Sequence, residues 1–321
     1  MKFAALLLDG QYRQTLVHDD LLHPLPAGTD LFEVLAAKPR EQEVLSRCAA
    51  PVALDEQALL PPIKASSIRD FMVFEQHVEG SFQGIRDPAV VPEWYDVPTF
   101  YFTNPYSLIG PRRPVPVPPG CNLLDYELEV AAVIGTEGRN LPVEEAGRHI
   151  AGYSIFNDWS ARDLQIHEMR IGLGPAKGKD TSSTLGPYLV TPNELEPYRQ
   201  GDRFDLGLSV AINGSAIGKD SLANAAWSFP EMIAYASRGT VVRAGDVLGS
   251  GTCGSGCLVE LWGRNNGERV PPSLTIGDTV TMEVTGLGTI QNTVIPGDPI
   301  HPVPPARRMT AQRTGSCSAP V

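Results

Sequence analysis

The segment Asp125-Tyr126-Glu127-Leu128-Glu129-Val130-Ala131-Ala132-Val133-Ile134 runs acidic residues straight into an apolar stretch that ends at Gly135. On a strand, side chains alternate faces, so Glu127 and Glu129 point one way while Leu128 and Val130 face a core. Two carboxylates on one strand face repel each other, and an arbitrary Glu-x-Glu is usually a solvated edge. Here the strand continues into a segment with the composition of a buried one. Carboxylates entering such a strand need a cation, and hard oxygen ligands suit Mg²⁺, Ca²⁺ or Mn²⁺. A third carboxylate, Asp158, follows the strand Tyr153–Phe156 in Asn157-Asp158-Trp159-Ser160-Ala161-Arg162-Asp163-Leu164-Gln165. It could serve as a plain helix N-cap or as a partner of the two glutamates. Arg162 and Gln165, four and seven residues further on, would share one helix face with it.

Around this stretch the pattern is mixed. Strand-like pieces come first at Phe3–Leu8 and Tyr12–Val17, then a helix near Asp30–Leu45. Asp70–Val78 reads as a helical turn or two, and Gly110–Pro119 as an extended, semi-rigid run. Pro142–His149 and Pro230–Ser237 read as helices. Phe204–Ile212 leads into Asn213-Gly214, a two-residue hairpin signal. Val241–Leu248, Cys257–Trp262, Thr279–Val284 and Gly288–Val294 read as strands. The plan is α+β with mostly antiparallel strands and no internal repeat. Residues 1–66 form a small N-terminal α/β unit, 67–303 the main domain, and 304–321 a polar tail.

Composition narrows the function. The 321 residues include 42% hydrophobic side chains, enough for a sizeable core. Lys and Arg number 26 against 37 Asp and Glu, a net charge of -11. That balance argues against nucleic acid and against an anionic membrane surface as partners. The apolar run Met1–Leu8 stops at Asp9-Gly10, short of a signal peptide, and no stretch approaches a membrane span. Cys48, Cys121, Cys253, Cys257 and Cys317 are an odd, scattered set, which predicts reduced thiols in a cytoplasmic protein.

Two motifs are set aside. Gly249-Ser250-Gly251-Thr252-Cys253-Gly254 matches a dinucleotide fingerprint, but the residues after it read as a strand, so a glycine loop lining a pocket is expected instead. Gly178-Lys179 lacks both the leading Gly and the trailing hydroxyl of a P-loop. Cys253 and Cys257 lack a second pair at zinc spacing and read as packing residues.

The Tyr126-Glu127-Leu128-Glu129 strand, the Asn157–Asp163 segment, Gly178-Lys179 and the ending Gly277-Asp278…Glu283-Val284-Thr285-Gly286-Leu287-Gly288-Thr289-Ile290 together resemble the fumarylacetoacetate hydrolase family over about residues 67–300. The resemblance implies a bent, mixed β-roll, a homodimer, and a divalent metal held by Glu127, Glu129 and Asp158. The spacing further resembles the fumarylacetoacetase-like C–C hydrolases of that family. On that resemblance Asp70 is an additional metal residue, His77 the catalytic base and Glu260 its partner. Arg86, Tyr101, Gln165 and Thr252 would contact substrate. Lys179, with Lys177 as a competitor, would supply the catalytic ammonium. Arg162 would orient Glu260 or balance local charge. The N-terminal unit is shorter than in those hydrolases, and Met169 replaces a substrate-contacting Tyr.

The implied function is hydrolysis of the C–C bond in a 1,3-diketo acid, an acylpyruvate or fumarylacetoacetate-like compound. His77 would activate water, and Lys179, Gln165 and a backbone N–H near Thr252 would face the developing oxyanion. A tautomerase, isomerase or decarboxylase of a 2-oxo diacid would use the same metal set without an activated water. A non-catalytic diacid-binding protein would need only the metal set.

Overall fold

The computed structural model describes residues 1–83 and 88–307. Its centre is the strand Leu128–Ile134, every residue of which is buried. Leu128, Val130, Ala132 and Ile134 enter one core, and Ala131 and Val133 enter a second core on the other side. A strand covered on both faces needs a continuous apolar run, and this one has it.

Leu128–Ile134 pairs antiparallel with Ile150–Asp158 on one edge and with Asp246–Gly249 on the other. Beyond Ile150–Asp158 lies Ser183–Val190, also antiparallel. Beyond Asp246–Gly249 lies Ser67–Phe71, in parallel, and then Phe100–Thr103, antiparallel. The register sets Gly249 opposite Asp70 and Asp70 opposite Tyr101. These strands belong to one 11-stranded sheet.

Residues 1–66 extend that sheet. Lys2–Leu8 pairs with Ser183–Val190 and starts an antiparallel run through Gln11–His18, Leu21–Pro24 and Val52–Ala53. Phe3, Leu16, Leu31, Val44 and Ile63 share a core with Ile68, Ala131 and Phe156.

A second, five-stranded sheet is built from Ser215–Ser221, Gly207–Ile212, Thr279–Val284, Gly288–Ile295 and, at its edge, Val115–Pro116. The Asn213-Gly214 hairpin is present, with positive φ at both residues (50° and 80°) as the tight turn requires. The architecture is therefore α+β with mostly antiparallel sheets, as expected. No helix among the described residues is long and apolar enough to cross a membrane.

Three local expectations are corrected. The helix expected over Asp30–Leu45 is two helices, Leu31–Ala36 and Glu41–Leu45, broken where Lys38 takes φ +49° before Pro39. The helical turn expected over Asp70–Val78 is a strand, Ser67–Phe71, followed by a helix, Glu75–Phe82. The strand expected over Cys257–Trp262 is a helix, Leu258–Arg264. Its first N–H groups are capped from afar: Leu258 N–H and Val259 N–H donate to the Asp125 carboxylate at 2.8 and 3.0 Å. Of the expected tail, residues 308–321 lie outside the described residues.

Candidate active site

The carboxylates are gathered by strand pairing. Asp70 stands on Ser67–Phe71, Glu129 on Leu128–Ile134, Glu127 just before that strand, and Asp158 at the end of Ile150–Asp158. All four are buried. One oxygen from each of Asp70, Glu127 and Glu129 lies within 4.8 Å of the others. Asp158 joins through shared donors. The Tyr101 hydroxyl donates to Asp70 at 2.8 Å and also to Asp158, while Lys179 Nζ bonds Glu127 at 2.5 Å and Asp158 at 3.0 Å. Asp158 does not cap a helix, because the next one begins only at Arg162.

Burial, and then the charges of Asp158 and Glu127, push the Asp70 carboxyl up to about 7. Burial, with Asp70 and Glu127, pushes Glu129 well above the carboxylate range. Burial opposes ionisation of Glu127 too, but Lys179, Arg162 and His77 outweigh it and hold that carboxyl down to about 2. Asp70 Oδ1 and Glu129 Oε1 are buried with no hydrogen-bond partner among the described residues. Two neighbouring carboxyl groups, each with one unpartnered buried oxygen, call for a proton or a cation between them. The backbone leaves room for one: a Cβ at Gly249 would sit 2.6 Å from Asp70 Oδ1 and 2.8 Å from Glu129 Oε2. The donor set, all hard oxygen, fits the expected Mg²⁺, Ca²⁺ or Mn²⁺.

Two buried cations border this cluster. Burial works against the charge of Lys179, yet Asp158 and Glu127 keep its ammonium protonated far above neutrality. Its loop is pinned by Glu168, whose carboxylate accepts N–H bonds from Ala176, Lys177 and Gly178 at 2.8, 2.8 and 3.0 Å. Lys177 instead points outward and pairs with Asp180 at 2.9 Å. Arg162 donates to Asp125 through Nε at 2.9 Å and reaches Glu127 at 2.8 Å. Gln165 Oε1 accepts from Arg162 Nη1 at 3.0 Å.

His77 lies on the helix Glu75–Phe82 and Glu260 on Leu258–Arg264. The two helices meet at glycines: a Cβ at Gly263 would fall 1.9 Å from the Gly80 carbonyl oxygen. That close approach brings Glu260 Oε2 to 3.3 Å from His77 Nδ1. The other Glu260 oxygen accepts from Ser255 N–H at 2.8 Å and from Arg264 at 2.5 Å. The cation that orients Glu260 is thus Arg264; Arg162 pairs with Asp125 and Glu127, which corrects that part of its expected role. Ser81 Oγ and Cys257 Sγ approach the same His77 nitrogen at 3.5 and 3.6 Å.

Thr252 is buried in the glycine loop. The N–H groups on either side of it are committed, Gly251 to Glu129 at 2.9 Å and Cys253 to the Leu128 carbonyl at 3.0 Å. The loop borders the carboxylate cluster through Gly251, and a helix, not the expected strand, follows it. A dinucleotide phosphate finds no free helix end there, because Asp125 already holds the N-terminus. Arg86 lies outside the described residues. Sequence reasoning assigned no role to Asp125 or Arg264, and took Cys257 only as packing. Asp125 lies just before the central strand, and nothing local marks it as the cap of a helix more than a hundred residues away.

Comparison with known proteins agrees with this architecture. The sequence profile of the family described as Fumarylacetoacetate (FAA) hydrolase C-terminal matches residues 67–295. A fumarylacetoacetase from Arabidopsis thaliana is 28% identical, over 81% of this chain and 76% of its own. A protein named oxaloacetate tautomerase, mitochondrial, from Xenopus laevis is 32% identical over 59% of this chain and 55% of its own. The structure of a fumarylacetoacetate hydrolase from psychrophilic Exiguobacterium antarcticum superposes with a TM-score of 0.72 at 25% identity, covering 92% of this chain and 99% of that one. With the profile spanning well over half of its length, the chain belongs to the fumarylacetoacetate hydrolase family.

Proposed function

We propose that this chain is a divalent-cation-dependent hydrolase that cleaves the C–C bond of a 1,3-diketo acid, an acylpyruvate or a fumarylacetoacetate-like compound. The observation that carries the reading is the His77–Glu260 pair set beside the carboxylate cluster. Of the reactions considered, hydrolysis alone needs an activated water, and such a pair is suited to activating one.

Glu127, Glu129 and Asp158, with Asp70, would hold the cation, Mg²⁺ or Ca²⁺ and alternatively Mn²⁺. When bound, it supplies Lewis-acid polarisation of two substrate oxygens. The chain's own residues do the rest. Nδ1 takes the contacts of the His77 ring, which leaves Nε2 to accept a proton from water. Glu260, fixed by Ser255 N–H and Arg264, stabilises the imidazolium that results. Lys179 donates from its ammonium to the oxygen that gains charge and can deliver a proton to the departing carbon. Gln165 and the backbone at Thr252 supply further polar groups there. Arg162 keeps Glu127 ionised and in place. Arg86 and Tyr101 would hold a substrate carboxylate. Residues 67–303 form the catalytic unit, residues 1–66 support it, and the enzyme works as a cytoplasmic homodimer on a small-molecule substrate.

A second reading, a tautomerase, isomerase or decarboxylase of a 2-oxo diacid, is favoured by the Xenopus laevis relative's name. It would use Lys179 for proton transfer and leave His77 idle. The test is a panel of acylpyruvates and 2-oxo diacids with Mg²⁺, resolving acid release, CO₂ release and enol–keto interconversion. Acid release from an acylpyruvate is expected. Rapid interconversion of tautomers with no acid released from any diketo substrate would replace hydrolysis with the second reading.

A further inference from the structure

His77, Cys257 and Glu260 form a second ligand set, of which the proposed hydrolysis uses only two members. Their ligand atoms all lie within 4.8 Å of one another, and all three residues are buried. Glu260 Oε2 is 3.3 Å and Cys257 Sγ 3.6 Å from His77 Nδ1. A tetrahedral Zn²⁺, with bonds near 2.1 Å to N and O and 2.3 Å to S, imposes N···O edges of about 3.4 Å and N···S edges of about 3.6 Å. The two edges at Nδ1 already stand at those separations, and the third, between Sγ and the carboxylate, is within 4.8 Å. Thiolate, imidazole and carboxylate with a fourth position open is a zinc-type donor set, whereas the neighbouring all-oxygen cluster suits hard cations.

The obvious competing use of a Cys beside a His, a nucleophilic thiolate, fits poorly. Burial, and then the Asp125 carboxylate, push the Cys257 thiol well up, so it stays protonated and weakly reactive. A metal that bonds sulfur strongly can still displace that proton.

We propose that His77, Cys257 and Glu260 bind a soft divalent ion, Zn²⁺ or Cd²⁺, and that its binding silences the hydrolase. The exchange balances: a metal–sulfur bond replaces the S–H bond with one proton leaving to solvent, the ring proton passes from Nδ1 to Nε2 as a metal–nitrogen bond forms at Nδ1, and nothing is oxidised or reduced. The ion takes Nδ1 and Glu260 Oε2 away from each other. Coordination uses the Nδ1 lone pair, so the neutral ring then carries its proton on Nε2, and the nitrogen cast as the base can no longer accept one from water. The silencing step rests on the reading of His77 as the base; the binding step does not.

The first test uses no activity. The full chain, in saturating Mg²⁺, is titrated with Cd²⁺ while the ultraviolet thiolate-to-cadmium charge-transfer absorption is followed. A band saturating at about one equivalent is expected in the wild type and none in Cys257→Ser or Cys257→Ala. No band in the wild type overturns the site whether or not the variants fold, as does an equal band in both variants. The second test measures half-inhibition by Zn²⁺, each protein normalised to its own zinc-free rate. Cys257→Ser should need at least about tenfold more Zn²⁺, in keeping with the loss of one of three ligands. Equal sensitivity, with the cadmium band intact in the wild type, overturns the silencing step alone.

Discussion

The carboxylate cluster and the His77–Glu260 pair lie next to each other but are held by different means. Asp70, Glu129 and Asp158 sit on paired strands whose register fixes them, and Gly249 opposite Asp70 leaves the gap between them. His77 and Glu260 sit on two short helices that touch through Gly80 and Gly263. The strand-built half gathers like charge and leaves one oxygen each of Asp70 and Glu129 without a donor among the described residues; the helix-built half is satisfied, with Ser255 and Arg264 on Glu260. One half is therefore unstable until something is bound, and the other is complete beforehand. Ligand removal and side-chain replacement should affect the halves in opposite ways.

The largest effect is expected from Glu129→Gln. Activity should fall to background and the Mg²⁺-induced rise in Tm should vanish. In EDTA the variant should nonetheless be more stable than wild type by about 1–3 kcal/mol, because an amide can donate to the orphaned Asp70 oxygen. The sign follows from Asp70, whose carboxyl is raised from 3.8 to about 7 in the folded protein. Its stabilising contribution is complete below pH 3.8, declines as pH rises, and is lost above about 7. Urea melts in EDTA at acid and alkaline pH should show the metal-free wild type weakening across that window, and Glu129→Gln weakening less. Equal or lower stability of the variant in EDTA would break the contrast.

His77→Ala should cost about 10²–10⁴ in C–C cleavage while leaving the Mg²⁺-induced Tm shift in place. Unchanged cleavage would dismiss the His77–Glu260 pair as the base even if the enzyme proves to be a hydrolase. The smallest effect is expected from Glu168→Ala, which releases the loop that precedes Lys179. We expect kcat to fall about 10–100-fold, the range for losing a supporting contact, with the Tm response to Mg²⁺ retained. A loss of metal response there would mean that Lys179 holds the carboxylates together more than it serves the reaction.

The strand half was far easier to read from sequence than the helix half. The alternation around Glu127 and Glu129, the apolar run to Ile134 and the Asn213-Gly214 turn are local signals, and each corresponds to what formed. Leu258-Val259-Glu260-Leu261-Trp262 is a short apolar run, which periodicity alone cannot assign to strand or helix. Its helix is started by a carboxylate far away in sequence, so no window around it carries the signal. The break at Lys38-Pro39 was visible in the proline but overridden by the apolar spacing around it. Cys257 looked like filler because its partners, His77 and Glu260, lie on two different helices.

Asp125 also places the site in time. Its carboxylate binds Arg162 Nε, 37 residues later, and the backbone of Leu258 and Val259, 133 and 134 residues later. Closing loops of that length is entropically slow, and the contacts that depend on them form after local turns and hairpins are in place. The helix bearing Glu260 lacks its Asp125 cap until this closure happens, so the His77–Glu260 pair is expected among the last features to assemble. A nascent or partly folded chain could already hold its central strands without the His77–Glu260 contact, so on the proposed function activity would report completion of the fold.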